Sequence, residues 1–469
     1  MQKNNNISPN LLIIHVDQQR YDSLGFTGHP LVKTPNLDRL RKEGVSFSHA
    51  FTPIPLCCPA RQTLLSGVMP EVHGGLWNYD SQQITGLTDD FITWTELLKE
   101  KKGFNMSYFG KWHVSPILDP TNFGYDRYED EKGVWPPDNT EKQYDMPVSS
   151  VWSYSGLKSK LPFEESSTHR MTYQAIDEMK RFTGDENPWH IRLDFNEPHL
   201  PSIPCEPFAS MYNPEDIPQW DNFVEDFTNK PYIQSQQLKN WEIENWGWDE
   251  WSKYLAAYFG IISQYDDAVG EILDTLDDLG IADNTIVIYT TDHGDAAGSH
   301  RMMDKHYVLY EEEVHVPMIV RWPGVVPENS SCEDFVMHAL DLGPTILDMY
   351  AIAIPESFQG KSFLKQLKGE VNSDNWKHAF SSYHGQQFGL YDMRMVRDDR
   401  YKYVFNPTDI DEFYDLQEDP AELHNLIGSA VDDQLGGKYR RMVFETFSAL
   451  DDRLMSKNPW MKNQLKECI

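Results

Sequence analysis

Two places in this sequence carry residue types that could hold a divalent cation. Asp17 and Gln18 directly follow an apolar run of strand length, and Asp292 and His293 directly follow another. Ligands gather beyond the carboxyl ends of strands in a parallel sheet, so we expect these four side chains to meet. Oxygen donors favour Ca²⁺, with Mn²⁺ or Mg²⁺ as alternatives, over Zn²⁺. Either aspartate taken alone indicates only a turn or a cap.

A pair of cysteines stands where a helix is expected to begin. Cys57 and Cys58 precede Pro59, which is favoured in the first helical turn, and Arg61 follows within that turn. The partial positive charge of a helix N-terminus lowers a thiol pKa and attracts anions. The pattern therefore indicates either a nucleophile beside an anion site or two packed thiols at a helix start.

These residues need a sheet to bring them together. The long helical pattern over 251–279 and the capping box that begins at Thr93 lie between strand-length apolar runs. The alternation predicts an α/β fold with a large central, mostly parallel sheet between helices. The apolar runs are Leu11–Val16, Phe104–Phe109, His190–Phe195, Thr285–Thr290 and Val316–Val320.

The composition of the chain changes near residue 366. A polar connector follows, then short strand-like runs and an amphipathic helical pattern over 438–454. The sequence thus predicts an N-terminal catalytic domain over 7–366. It also predicts a smaller C-terminal α+β subdomain over 374–469, with an antiparallel sheet.

Charge and length exclude several classes of partner. The chain has 469 residues, with 41 Lys and Arg against 73 Asp and Glu, a net charge of −32. Such a protein repels nucleic acids, anionic membranes and long polyanions, so we expect neither a nucleic-acid nor a membrane partner. The first apolar run is too short for a signal peptide. A cytoplasmic protein is expected, or a periplasmic or secreted one if an export signal has been removed.

Six motifs in order carry a resemblance to a known family. Cys57–Arg61 fits the pattern C-x-P-[SA]-R, and the chain also contains "NLLIIHVDQQR", "GKWH", "EPHLP", "TTDHGD" and "KHYVLYEEE". The sequence resembles the type I, formylglycine-dependent sulfatases of the alkaline phosphatase superfamily. The resemblance implies an alkaline-phosphatase-like fold and hydrolysis of a sulfate ester, with a small sulfated carbohydrate as the expected substrate. It also implies that a formylglycine-generating enzyme oxidises Cys57, because Cys57 alone has Pro and Arg at the motif's spacing.

The resemblance also assigns roles by position. Asp17, Gln18, Asp292 and His293 would hold one divalent cation together with the modified Cys57. Many relatives have Asp where Gln18 stands, which leaves the identity of the metal open. The other catalytic positions implied are Arg61, which would steady the formylglycine; Lys111 and Lys305, which would contact sulfate; His113, which would take the hydroxyl proton; and His199, which would protonate the leaving alkoxide.

Four further residues are weaker substrate-side candidates: Asn78, His300, His384 and Gln386. Polar loop residues are usually only solvated, so the assignment of these four to the substrate side depends only on their positions near the motifs.

Three alternatives remain open beside a sulfatase. A phosphonate monoester hydrolase or phosphodiesterase of the same superfamily would share the formylglycine, but there the Lys-x-His pair tends to be replaced, whereas Lys111 and His113 are present. A sugar-binding protein with a decayed site is disfavoured by the complete set of motifs. A plain thiol hydrolase with unmodified Cys57 is the third.

Overall fold

The computed structural model describes residues 8–79, 86–88, 90–131, 139–147 and 156–465. The outer limits of the two predicted domains, residues 7 and 469, lie outside these ranges. The strands are β1 Asn10–Asp17, β2 Val45–Phe47, β3 Ala50–Phe51, β4 Asn105–Gly110, β5 Arg127–Glu129, β6 Thr140–Lys142, β7 Leu157–Ser159, β8 Trp189–Pro198, β9 Thr285–Thr291, β10 Met318–Arg321, β11 Ser330–Cys332, β12 Val336–Met337, β13 Ala379–Gln386, β14 Gly389–Arg397, β15 Tyr401–Phe405 and β16 Glu412–Asp415. The α-helices are α1 Pro35–Lys42, α2 Cys57–Ser66, α3 Pro70–His73, α4 Trp94–Lys102, α5 Ser167–Phe182, α6 Tyr232–Asn240, α7 Trp248–Asp278, α8 Glu311–Val314, α9 His338–Met349, α10 Leu364–Leu367, α11 Ala430–Ala449, α12 Arg453–Lys457 and α13 Pro459–Gln464.

Eight strands form the central sheet, in the order β11-β2-β10-β9-β1-β8-β4-β5. Strands β9, β1, β8, β4 and β5 run parallel, whereas β10 is antiparallel to both of its neighbours. All eight residues of β1 are buried, because helices cover both faces of the sheet. The predicted fold class, a mostly parallel α/β sheet, is confirmed.

Hydrophobic clusters lie on both faces of this sheet. One joins β1 and β8 to α5 and α7 and includes Ile14, Met179 and Tyr265. The other joins β1 and β4 to α4 and α9 and includes Ile13 and Trp94. Alternate residues of β1 thus pack against the helices on opposite faces of the sheet, and this packing holds the carboxyl end of β1 in place.

The C-terminal part contains an antiparallel sheet in the order β13-β14-β15-β16, packed against α11. The structure extends the last predicted helix. It begins at Ala430 rather than 438, because the Ser429 side chain accepts hydrogen bonds from the next helical amides and starts it earlier. It passes through Gly436 and Gly437 and ends at Ala449, before a separate short helix.

Candidate active site

The ends of β1 and β9 bring the predicted cation ligands together. These strands are adjacent and parallel, with Val16 opposite Thr291, so Asp17 and Asp292 reach the same edge of the sheet. Cys57 is the first residue of α2, and its Sγ lies 3.2 Å from His293 Nε2 and 3.7 Å from Asp17 Oδ1. One donor atom from each of these four buried residues lies within 4.8 Å of the others.

The donor set fits a divalent cation. The carbonyl oxygen of Gly294 lies 2.8 Å from His293 Nδ1, which places the ring proton on Nδ1. His293 Nε2 is then the nitrogen that faces Cys57 and Asp292, and when unprotonated it can bind a metal ion as such an imidazole does. Two carboxylates and one imidazole supply the mixed oxygen and nitrogen donors that such an ion accepts.

Gln18 stands beside this group in a left-handed backbone conformation, with φ 66°. Its Nε2 donates to Asp295 Oδ2 and Asp304 Oδ1, each at 2.8 Å, which fixes the orientation of the amide. Its Oε1 accepts a 2.9 Å hydrogen bond from Lys305 Nζ. Gln18 thus links Lys305 to the ligand group, while its own role as a ligand stays a prediction. Asp295 and Asp304 were not anticipated from the sequence.

Arg61 holds three carboxylates at once. Its guanidinium contacts Asp17 and Asp194 at 2.8 Å and Asp292 at 2.9 Å, and all four side chains are fully buried. Buried charges persist only when each is paired and hydrogen-bonded. Arg61 therefore fixes the two candidate ligand carboxylates from behind. Sequence reasoning missed Asp194; an acidic residue inside the buried strand β8 was the available signal.

Two lysines and two histidines complete the base of the site. Lys111 Nζ contacts Asp17 Oδ2 at 2.8 Å, and Lys305 Nζ lies 2.9 Å from His199 Nε2. His199 Nδ1 lies 2.7 Å from the carbonyl oxygen of Leu200, so Nε2 is the nitrogen beside Lys305. The ring of His113 packs edge-on against Tyr79, with 4.9 Å between centroids.

Electrostatics at this base favour anions. Burial and the Asp17 carboxylate act to raise the pKa of the Cys57 thiol, but the Lys305 and Lys111 ammonium groups hold that pKa well below its ordinary value. Burial also acts to raise the pKa of Asp17, yet Lys111 and Arg61 hold it well below the ordinary carboxyl range. The base thus stabilises negative charge on its own groups and on a ligand.

A cavity of about 730 Å³ opens above these residues. Five of the predicted catalytic residues line it together with two of the substrate-side candidates, and exposed residues such as Ile117, Asp119 and Asp130 form its outer wall. The lining includes Cys57, Lys111, His113, His199, Lys305, Asn78, Gln386, Tyr79, Trp112, Tyr128, Asp119, Asp130 and Glu131.

Asn78 and Gln386 connect the C-terminal sheet to the start of α2. Asn78 Oδ1 accepts a 2.9 Å hydrogen bond from the Cys58 amide, and the Asn78 amide donates to Gln386 Oε1 at 3.1 Å. These two substrate-side candidates therefore reach the cavity.

The structure does not bring the other two substrate-side candidates to the cavity lining. His384 is held between Glu71 and Asp392, with 2.9 Å contacts on its two ring nitrogens. His300 is 1% exposed; its Nδ1 lies 2.9 Å from Glu225 Oε2, and its ring stacks on Tyr310. Buried partners hold both rings, and a contact of either histidine with substrate stays a prediction.

Comparison with known proteins assigns this chain to one family. The family model named Sulfatase matches residues 9–352, which is most of the chain. The chain belongs to the sulfatase family. The predicted enzyme class, a sulfuric ester hydrolase, is thereby confirmed, and the family in general uses a metal ion and formylglycine. A second model, N-sulphoglucosamine sulphohydrolase, C-terminal, matches residues 298–446.

Individual relatives cover nearly the whole chain. An arylsulfatase of Clostridium perfringens is 28% identical over 90% of this chain and 91% of its own length. A Delta 4,5-hexuronate-2-O-sulfatase of Bacteroides thetaiotaomicron is 29% identical over 95% and 88%. The solved phosphonate monoester hydrolase of Agrobacterium radiobacter shares the fold, with a TM-score of 0.80, 24% identity and coverage of 95% and 96%. In the part of the chain that the structure describes, no helix is long and apolar enough to span a membrane.

Proposed function

We propose that this sulfatase hydrolyses the sulfate ester of a small carbohydrate, using residue 57 as formylglycine and one divalent cation, with Ca²⁺ favoured over Mn²⁺ or Mg²⁺. One observation carries the proposal. Cys57 Sγ, which stands where a hydroxyl oxygen of the aldehyde hydrate would lie, meets a carboxylate and an imidazole at the base of a cavity lined by two ammonium groups.

The formylglycine at residue 57 and the divalent cation would each supply specific chemistry. The hydrate would offer an oxygen nucleophile and a route to release sulfate as the aldehyde re-forms. The cation, when bound, would supply Lewis-acid polarisation of the sulfate oxygens. Asp17, Asp292 and His293 would hold that ion, with Gln18 beside them. Arg61 would keep both carboxylates in position through its buried contacts.

The remaining residues bind the sulfate and move protons. Lys111 and Lys305 would compensate the charge on the sulfate oxygens from the two sides of residue 57. His199 would protonate the leaving alkoxide through Nε2, which can take up from the Lys305 ammonium, 2.9 Å away, the proton that it passes on. His113, which lines the same cavity, would accept the hydroxyl proton when sulfate is released.

Support for a carbohydrate substrate comes from the relatives and from the shape of the site. The Bacteroides relative is named for a sulfated hexuronate, and a deep pocket at strand ends suits one terminal residue of a sugar chain. Half-buried aromatic lining residues such as Tyr79 and Tyr128 offer faces on which a sugar ring can pack.

The phosphonate monoester hydrolase and phosphodiesterase activities form the second candidate, favoured by the structural likeness to such an enzyme. Lys111 and His113, both at the cavity, favour sulfate. Matured protein should hydrolyse 4-nitrophenyl sulfate with a higher kcat/KM than phenyl phosphonate esters or bis(4-nitrophenyl) phosphate. Faster turnover of the phosphorus esters would reverse the assignment.

The adjacent cysteines give a matched test of the nucleophile. With a formylglycine-generating enzyme co-expressed, peptide mass mapping should show oxygen in place of sulfur at residue 57 and an intact thiol at residue 58. Cys57→Ala should abolish aryl sulfate hydrolysis, whereas Cys58→Ala should fold, mature and keep most of it. Full activity of protein that carries an intact Cys57 thiol would contradict the proposal.

A further inference from the structure

We propose that the alcohol portion of the substrate carries no anionic group besides the reacting sulfate. This inference rests on the proposed function and deepens it, because it names the class of sulfate ester that the cavity accepts. The observation behind it is the separation of charge between the base and the outer wall of the cavity.

All lysine side chains on the described lining belong to the base. Lys111 contacts Asp17, and Lys305 contacts Gln18 and His199, so both ammonium groups are committed to the sulfate end of the cavity. Among the lining residues of the described structure there is no arginine and no third lysine. Among the described lining residues, a second anionic group on the substrate would find no lysine or arginine other than the two at the base.

The wall instead carries carboxyl groups. Asp119, Asp130 and Glu131 all line the cavity, and Asp119 and Asp130 are exposed. Burial, and then the Glu197 carboxylate, raise the pKa of Glu131 to about 8 even though the Lys111 ammonium acts in the opposite direction. Glu131 is therefore mostly uncharged near pH 7, and the groups that would repel a carboxylate or a second sulfate on the substrate are the exposed carboxylates of Asp119 and Asp130.

The same wall suits hydroxyl groups. Carboxylates accept hydrogen bonds from sugar hydroxyls, and Tyr128, which donates to Asp130 at 3.1 Å, shows that Asp130 is placed to accept. Trp112 and the exposed Ile117 add apolar surface along the same wall. A sugar whose other groups are neutral or cationic matches this surface, whereas a sulfated hexuronate does not.

Matched aryl sulfates test the inference without knowledge of the natural sugar. We would compare 4-carboxyphenyl sulfate with 4-acetamidophenyl sulfate in matured wild-type enzyme and in the double variant Asp119→Asn/Asp130→Asn. Asn is chosen because it keeps the capping role of Asp119 at the turn that follows it. For each enzyme we would take kcat/KM for the carboxylated ester divided by kcat/KM for the acetamido ester. The difference in leaving-group reactivity between the two esters then cancels when the wild-type and variant ratios are compared. The ratio for the carboxylated ester should rise about fivefold in the variant at low ionic strength, since two charges are removed near the substrate.

Asp185→Asn/Glu186→Gln is the matched control. These two exposed acids precede β8, at the end of the sheet opposite the cavity, so this variant also loses two charges but should leave the ratio unchanged. In wild-type enzyme the discrimination against the carboxylated ester should shrink between 20 mM and 500 mM salt, because salt screens exposed charges. This salt dependence tests the inference in wild-type enzyme even if the double variant fails to fold.

The outcomes separate the two proposals. Preferential hydrolysis of the carboxylated ester, or a ratio insensitive to both salt and the double variant, would overturn the inference and leave the sulfatase proposal standing. Failure of fully matured enzyme to hydrolyse either ester would instead overturn the proposed function, and the inference with it.

Discussion

Arg61 is a single side chain on which three buried carboxylates depend. A lysine would keep the charge but could not reach Asp17, Asp194 and Asp292 together, because it offers one ammonium in place of a planar fork. Arg61→Lys should lower the free energy of unfolding by roughly 3–5 kcal/mol, as expected when a buried carboxylate loses its partner. Urea unfolding of protein made without the maturation enzyme measures this directly.

Arg39 provides the control for that prediction. It also contacts three carboxylates, those of Glu43, Asp274 and Asp277, but on the surface. Surface ion pairs contribute about 0–1 kcal/mol, so Arg39→Lys should change the unfolding free energy by less than about 1 kcal/mol. Equal losses in the two variants would show that burial of the Arg61 cluster does not matter.

The candidate site was predictable from the sequence only where local signals mark it. Asp17 and Asp292 follow apolar strands, and Cys57 precedes a helix-start proline, so their meeting follows from parallel pairing of β1 with β9. Asp194 was marked only by its acidic side chain inside an apolar strand, and its contact with Arg61, which joins distant parts of the chain, could not be predicted from that signal. The surroundings of His300 were not predictable either, because its partners Glu225 and Tyr310 are set by tertiary packing.

At the scale of elements, apolar runs and caps predicted strands and helices well. The run Leu11–Val16 became β1, and the capping box at Thr93 starts α4 with both of its hydrogen bonds formed. Strand β8 extends past its apolar run through Pro198, because pairing with β1 continues to Asp17 after an irregularity. Pairing between strands, which no local pattern encodes, decides where a strand ends.

Strand β13 carries a charged histidine where it meets α3. His384 lies between the carboxylates of Glu71 and Asp392, with Arg394 nearby. Burial and Arg394 act to lower the pKa of His384, but the hydrogen bonds to the two carboxylates raise that pKa above its ordinary value. Its stabilising contribution is then complete below pH ~6.5 and is lost as pH rises through the raised folded-state pKa. His384→Gln should cost roughly 1.5–3 kcal/mol at pH 6 and less at pH 9.5, measured by urea unfolding.

His378, on the segment just before β13, should behave differently. Burial lowers the pKa of His378, so charge on its ring does not stabilise the fold at the acidic end of this range, and its ring bonds to Thr446 at 2.8 Å. The cost of His378→Gln should therefore not shrink between pH 6 and pH 9.5. A His384→Gln cost that stays constant or grows over this range would contradict a charged His384.

For the whole molecule, the division into a domain over 7–366 and another over 374–469 remains a proposal, and packing argues against independent folding. One hydrophobic cluster contains Phe51 and Leu340 from the N-terminal part together with Phe380 and Phe447 from the C-terminal part. The buried Lys402 of β15 also contacts Glu311 of α8 at 2.9 Å. We therefore expect the two parts to unfold in one cooperative transition.

A cavity in the C-terminal part tests this cooperativity at the distant active site. Phe447 is fully buried on α11, and Phe447→Ala should remove roughly 3–5 kcal/mol of stability. If the parts are one cooperative unit, the urea midpoints of aryl sulfatase activity and of tryptophan fluorescence should fall by the same amount. Trp460→Ala, which removes a ring that is 77% exposed, should move neither midpoint appreciably. If both midpoints stay at their wild-type values in the Phe447 variant, the N-terminal part, which carries the active site and most of the tryptophans, folds alone.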